Sequence, residues 1–304
     1  METIGSAARY PSPLRYPGGK GKVANFLKLL IVQNDLSGID YVEPYAGGAS
    51  VALTLLFEDY VSNAHINDLN PGVYQFWRLA IDDPDVLCRR IRAADLTLDE
   101  WRRQKRIYAD ADTAPEDLAF ATFFLNRTNR SGIISRGGVI GGNDQTGDWK
   151  IDARFNKASL CARILKIARF APRLTVTNHD AVTLLKANAS RAGAALHYLD
   201  PPYYLKGSRL YDNFYSHDDH LAVSGTVRSM KGPWVVSYDA DPEILSMYPG
   251  CESMRYILGY SASKSPNGTE VMFFSEDLVV PDVSSPAGIA SSTVDAAKVA
   301  ATLF

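Results

Sequence analysis

The sequence predicts an α/β protein with a mostly parallel sheet, on three observations. Short apolar runs alternate with helical patterns along most of the 304 residues. Four of these runs end at a carboxylate, namely Glu43, Asp68, Asp180 and Asp200. A glycine-rich turn, Pro44-Tyr45-Ala46-Gly47-Gly48-Ala49-Ser50, joins the first strand to the helix after it. In such a sheet ligands bind beyond the carboxyl ends of the strands, which is where the acids fall.

Composition narrows the class further. Hydrophobic residues make up 46% and charged residues 22%, the balance of a soluble globular protein rather than a disordered one. No apolar run approaches the ~20 residues of a membrane span, and the N-terminus lacks a signal-peptide pattern. Cys88, Cys161 and Cys251 stand far apart, which argues against a zinc site or disulfide framework and for a reducing, cytoplasmic compartment. The five histidines show no metal-ligand spacing, so no structural metal is expected. The net charge of −2 is uninformative, but its distribution is not. Residues 86 to 173 hold 17 lysines and arginines against 10 carboxylates, a net of +7 that leaves −9 to the rest. One basic part for a polyanion and one acidic part for a small molecule would produce this asymmetry.

Taken in order, the first thirteen residues read as a loose arm. Leu14-Arg15-Tyr16-Pro17-Gly18-Gly19-Lys20 follows, then a helical pattern over 23–31. A P-loop is excluded, because the glycine five residues before Gly-Lys and the following Ser or Thr are missing. The glycine turn instead presents N–H groups at a helix start, where a carboxylate binds and Lys20 can pair with it. Residues 39–43 form the first strand, and its glycine turn lets a nucleotide-like ligand approach the backbone, without the Gly-x-Gly-x-x-Gly spacing of dinucleotide binding. A second strand over 64–67 ends at Asp68, placed either to hold ribose hydroxyls or to cap the helix beginning near Asn70-Pro71.

From Val73 to Tyr108 the pattern is helical, with another helix over 115–125. Asn126, Arg127, Asn129, Arg130, Ser131 and Arg136 then fall on a glycine-rich stretch, the residue types that base-edge and phosphate contacts require. A basic helix covers 159–169. A strand over 174–177 precedes Asp180, with a helix after it. The run 194–199 ends in Asp200-Pro201-Pro202-Tyr203, where two prolines stop the strand because neither can donate a ladder hydrogen bond. An acid, a rigid turn and two aromatic rings arrive together. A carboxylate and a carbonyl can each accept one N–H of an amino group on a flat ring, favouring tetrahedral attack, while an aromatic face stacks on the base. Lys206 and Arg209 lie in the charged loop beyond. A strand over 234–238 and an antiparallel pair over 253–258 and 270–274 complete the sheet. The Ala/Ser-rich tail beyond Pro281 reads as poorly ordered.

With these residues laid out, the chain resembles the Dam-like, D12 class, alpha-group DNA adenine methyltransferases over most of residues 14 to 275. Tyr16-Pro17-Gly18-Gly19-Lys20 looks like the family's N-terminal motif, and Glu43-Pro44-Tyr45-Ala46-Gly47-Gly48 its S-adenosylmethionine loop. Asn67-Asp68-Leu69-Asn70 is similar to the ribose-binding motif, and Asp200-Pro201-Pro202-Tyr203 to the catalytic one. The resemblance implies a Rossmann-like class I methyltransferase fold with a mostly parallel seven-stranded sheet, an antiparallel strand and a helical target-recognition insertion. On that basis residues 1–72 and 173–281 form the catalytic domain, 73–172 the recognition domain and 282–304 a flexible tail.

It also implies that S-adenosylmethionine is held by Tyr16, Gly18, Gly19, Lys20, Glu43, Pro44, Tyr45, Ala46, Gly47, Gly48, Asp68 and Asp180. Within that set Asp68 binds the ribose and Asp180 the cofactor's adenine. Asp200, helped by the Pro201 carbonyl, polarises the target amino group, and Tyr203 stacks on the flipped base for direct in-line transfer. Double-stranded DNA is met by Arg15, Asn126, Arg127, Asn129, Arg130, Ser131, Arg136, Lys206 and Arg209, with the protein a monomer or homodimer. Many relatives carry an aromatic residue before Asn-Gly in the DNA-contacting loop, where this chain has Arg130-Ser131-Gly132. Alternatives are transfer to the N4 amino group of cytosine and a non-catalytic DNA-binding regulator, the latter opposed by an intact acid and cofactor loop.

Overall fold

The computed structural model describes residues 11–16, 20–188, 195–204, 214–258 and 268–301. Its strands are β1 (Asp40–Glu43), β2 (Ala64–Asn67), β3 (Leu174–Thr177), β4 (Ala195–Leu199), β5 (Trp234–Asp239), β6 (Glu252–Leu258) and β7 (Gly268–Phe274). They form one seven-stranded sheet in the order β3-β2-β1-β4-β5-β7-β6. The five strands from β3 to β5 pair in parallel, while β7 runs antiparallel to both β5 and β6. Central strands are covered on both faces and read as near-continuous apolar runs, as in Trp234-Val235-Val236. Strand order reverses between β1 and β4, and such a switch point opens a crevice at the carboxyl ends.

The helices are α1 (Ala24–Gln33), α2 (Ser50–Phe57), α3 (Pro71–Asp82), α4 (Pro84–Ala93), α5 (Leu98–Ala109), α6 (Pro115–Thr128), α7 (Lys157–Ala168), α8 (Ala181–Asn188), α9 (His217–Ser229), α10 (Pro242–Met247) and α11 (Ser291–Ala301). Local chemistry sets their starts. Proline opens α3, α4, α6 and α10, where its missing N–H is not needed. Asn70, Asp83, Thr97 and Asn156 accept backbone N–H groups at the starts of α3, α4, α5 and α7. Asn67 locks three strand ends together. Its amide donates to the carbonyls of Pro44 and His179, and its oxygen accepts from the Thr177 hydroxyl and the His179 N–H.

The helices from α3 to α7 are not a separate globule. One apolar cluster runs from the sheet and α1 into Val73, Phe76, Trp77, Phe123 and Ile164. Phe76 stacks on Phe123 with ring centroids 5.8 Å apart.

Three expectations need correction. Helix α6 continues through Thr128, so Asn126 and Arg127 are helical rather than on a loop; no glycine or proline breaks the pattern before Gly132. Within the arm, Ser12 and Pro13 are buried, and the Ser12 carbonyl accepts a bond of 3.0 Å from Arg163 Nη1. The segment after Pro281 folds back instead of trailing. Val283, Ala287 and Ile289 pack on the core, Val294 on α11 is 1% exposed, and Asn25 of α1 donates to the Ile289 carbonyl at 2.8 Å. Spaced apolar residues among the alanines and serines supply the docking face. Val294→Ala should therefore lower unfolding stability by about 2 kcal/mol, read from the urea midpoint, whereas an undocked tail would leave that midpoint unchanged.

Candidate active site

A cavity of about 1120 Å³, counting its open mouth, lies at the switch point between β1 and β4. Among the sequence-predicted residues, Tyr16, Lys20, Glu43, Pro44, Tyr45, Ala46, Gly47, Gly48, Asp68, Asp200 and Pro202 line it. Gly18, Gly19, Lys206 and Arg209 lie outside the described residues.

The glycine turn is held from two sides. Asp68 Oδ2 accepts the Gly47 N–H at 2.8 Å, and Trp77 of α3 donates its indole N–H to the Gly47 carbonyl at 2.9 Å. Gly47 has φ of 45°, and a Cβ there would come within 2.7 Å of the Tyr16 ring. Only glycine combines that conformation with that approach. Glu43 is 4% exposed and accepts from the Ala52 N–H and the Tyr41 hydroxyl, both at 3.1 Å. Burial raises its pKa to about 8 against the lowering effect of those two bonds. Glu43 is therefore a structural acid that fixes the start of α2. Asp68 also accepts the Asn70 N–H at 2.9 Å. Burial raises it to about 6, opposed by its two backbone hydrogen bonds.

Asp200 stands one residue beyond β4, with 27% of its side chain exposed toward the cavity. Lys20 lies 3.2 Å from its Oδ1, and the Ser237 hydroxyl of β5 donates to the same oxygen at 2.9 Å. Lys20 also pairs with Glu270 of β7 at 2.7 Å. Burial lowers the Lys20 pKa, but Asp200, Glu270 and two tyrosines outweigh it, so the net value lies well above the usual lysine range and the ammonium stays charged. Burial raises Asp200 to about 6; Lys20 pulls it down and Glu270 pushes it up. Glu270 was missed from sequence, although an acid opening the apolar run Val271-Met272-Phe273-Phe274 was a signal for a buried pairing.

Other predicted residues are placed differently. Tyr203 is 7% exposed; its hydroxyl donates to Glu270 Oε1 at 3.1 Å, and Lys20 sits 5.5 Å from its ring centre. Its face belongs to the ionic cluster and does not line the cavity, nor does Pro201. The aromatic lining comes instead from Tyr16, Tyr45 and Tyr215, the Tyr215 hydroxyl donating to that of Tyr45 at 3.2 Å. Asp180 caps α8, accepting the Thr183 N–H at 2.9 Å, while His179 and Ala181 on either side line the cavity. A carboxylate just before a helix is drawn to its free N–H groups.

The polar stretch after α6 also divides. Asn126 and Asn129 are fully buried. Asn126 brackets Arg15, accepting its N–H at 2.7 Å and donating to its carbonyl at 2.6 Å. Asn129 donates to the Ile133 and Ile134 carbonyls and accepts the Trp101 indole N–H at 2.7 Å. Neither is available to a base edge, because buried amides are satisfied by backbone before any ligand arrives. Arg15 and Arg127 are partly buried, whereas Arg130, Ser131 and Arg136 are exposed. Gly132, with φ of 77°, presses on Arg15 so closely that a Cβ would meet its carbonyl oxygen at 2.4 Å. That contact brings Gly132, Ile133 and Ile134 into the cavity wall, a placement with no sequence signal.

Comparison with known proteins follows this geometry. The model of the D12 class N6 adenine-specific DNA methyltransferase family matches residues 16–258. No curated protein sequence matches the chain. Among solved structures, the rRNA methyltransferase AviRa from Streptomyces viridochromogenes is 12% identical, with 78% of this chain and 76% of that one covered and a TM-score of 0.35. SMU.776, a protein assigned as a methyltransferase and complexed with SAH, is 7% identical over 83% of this chain and 48% of that one, with a TM-score of 0.36. The family match begins at Tyr16 in the cavity wall, spans the glycine turn, Asp68 and Asp200, and ends with β6. The chain belongs to the D12 class N6 adenine-specific DNA methyltransferase family, enzymes that move a methyl group from S-adenosylmethionine to the N6 amino group of adenine in DNA.

Proposed function

We propose that the target adenine leaves the duplex and enters the mouth of the cavity beside Asp200, which accepts one N–H of its amino group. The observation that carries this reading is the position of Asp200, on the same cavity as the glycine turn and Asp68. The residues present fit S-adenosylmethionine: the volume suits a nucleoside with a side chain, and Asp68 retains acceptor capacity for ribose hydroxyls. Tyr16, Pro44, Tyr45, Ala46 and Gly48 complete the pocket, and Lys20 keeps Asp200 in place. When bound, S-adenosylmethionine supplies an electrophilic methyl group.

Asp200 then orients the amino nitrogen, whose lone pair is otherwise spread over the ring, so that it points along the line of attack. Tyr215 or Tyr45, rather than Tyr203, is the aromatic face nearest the base. Residues 73–172 act as the recognition region, with Arg130, Ser131 and Arg136 as the exposed contacts. The protein works on duplex DNA in the cytoplasm. Among the described residues no helix is long and apolar enough to cross a membrane.

Asp200→Asn should lower single-turnover methyl transfer to duplex DNA by about a thousandfold, while S-adenosylmethionine affinity by calorimetry changes little. Wild-type turnover in that variant would remove Asp200 from the chemistry. In the wild type the rate should fall as pH drops through about 6, because protonation converts the acceptor to a donor. Glu270→Gln should shift that acidic limb to lower pH, since the negative charge that raises Asp200 is gone while Lys20 remains. An unmoved limb would show that the limb belongs to another group.

A further inference from the structure

Four arginines from separate segments lie near one another: Arg15 beside the cavity-lining Tyr16, Arg127 on α6, Arg154 in the loop before α7, and Arg163 on α7. Backbone carbonyls, not carboxylates, hold three of them. Arg15 Nη1 donates to Asn129 at 3.2 Å, Arg127 Nε to Arg154 at 2.7 Å, and Arg163 Nη1 to Ser12 at 3.0 Å. Among the described residues, none of the four has a carboxylate within ion-pair distance. Arg163 Nε is buried without a hydrogen-bond partner. Their closeness registers in their acidities. Burial first, then the guanidinium groups of Arg15, Arg163 and Arg154, lower Arg127 to about 9, and burial with Arg154 also lowers Arg15. Carbonyls orient a guanidinium fork but leave its charge in place, so such a group is relieved only by an anion.

Beside this cluster stands Trp149, 64% exposed, with the Arg154 guanidinium 5.2 Å from its ring centre. The loop that carries it is pinned from within. Gln145 Nε2 donates to the Ile140 and Gly142 carbonyls, Lys150 Nζ donates to those of Gln145 and Gly147, and Ile151 N–H reaches Gln145 Oε1. Exposure of the indole is thus built in. An exposed aromatic ring next to guanidinium groups suits stacking on nucleotide bases beside their phosphates. The cofactor's own carboxylate is not the anion, because none of the four arginines lines the cavity.

We infer that Arg15, Arg127, Arg154 and Arg163 form a binding site for a backbone phosphate of duplex DNA next to the target adenine, with Trp149 packing on the neighbouring nucleotide. This rests on the proposed function. Neither Arg154 nor Arg163 nor Trp149 stands out as a DNA contact in the sequence, and the site gives the duplex an anchor from which the adenine reaches Asp200.

The test is the affinity for a labelled duplex of unmethylated DNA, measured by anisotropy across a salt series with S-adenosylhomocysteine present. Arg154→Gln and Arg163→Gln should each make the slope of log K against log salt shallower by about 0.9, the share of one phosphate contact. Arg154→Lys, which keeps the charge, should keep the slope. Trp149→Ala should weaken binding roughly tenfold at every salt concentration with the slope retained. Calorimetry with S-adenosylmethionine should give unchanged affinity for Arg154→Gln, whose exposed side chain folding does not need. Wild-type slopes in both glutamine variants overturn this site alone and leave the proposed function standing. A wild-type protein that binds S-adenosylmethionine but no duplex overturns both.

Discussion

One buried lysine shared by two carboxylates sets the geometry of this enzyme. Lys20, Asp200 and Glu270 come from the N-terminal motif, the end of β4 and the antiparallel strand β7, and their charges meet within 3.2 Å. An isolated ion at that depth would cost several kcal/mol, so each member depends on the others. The cluster carries two negative charges against one positive. The two carboxylates hold Lys20 charged, while burial, with a smaller push from Glu270 and against the pull of Lys20, leaves Asp200 a weaker acid than usual. A carboxylate with a raised pKa is a stronger hydrogen-bond acceptor than an ordinary one, which suits the weakly acidic N–H of an aromatic amine. Tyr203 completes the arrangement from within, its hydroxyl on Glu270 and its ring beside Lys20.

The helical insertion is tied to the same centre. Trp77 of α3 holds the Gly47 carbonyl, Asn126 of α6 brackets the backbone of Arg15, and Gly132 packs against it without room for a side chain. The segment after α6 therefore forms part of the cavity wall through Ile133 and Ile134. Interiors packed at this density are stiff, so a shift of the insertion on DNA would be felt at the glycine turn. The helical insertion and the sheet share one continuous apolar core.

Much of this was legible in the sequence. Strand positions followed from apolar runs closed by carboxylates, and the glycine turn, Asp68 and Asp200 were marked by residue types that the carboxyl edge of a parallel sheet uses. The failures share a cause: residue type does not say which way a side chain faces. Asn126 and Asn129 have the chemistry of base-reading amides, yet both turn inward to satisfy backbone groups. Asp180 caps helix α8 through one oxygen, a role its residue type does not distinguish from the cofactor contact expected of it. Tyr203 has a face fit for stacking, yet an acid 67 residues away in sequence claims its hydroxyl. Glu270 was hidden for the complementary reason, since its importance lies in a partner 250 residues distant.

The two charge systems also explain each other. The cavity holds Asp68 and Asp200 and would repel a phosphate, whereas the arginine cluster next to Tyr16 has, among the described residues, no carboxylate within ion-pair distance. Under the proposed function a nucleotide would be sorted by its own chemistry, the phosphate held by the arginines and the neutral base alone admitted toward Asp200. Between solvent-exposed charges the interaction fades over a Debye length of about 8 Å, so the sorting requires the two systems to be adjacent but distinct. Arg15 and Tyr16 supply that arrangement directly: consecutive residues, one in the arginine cluster and the other in the cavity wall. Their shared backbone is clamped by Asn126, so under the proposed function it would fix the distance from a phosphate held by the arginines to the acceptor in the cavity.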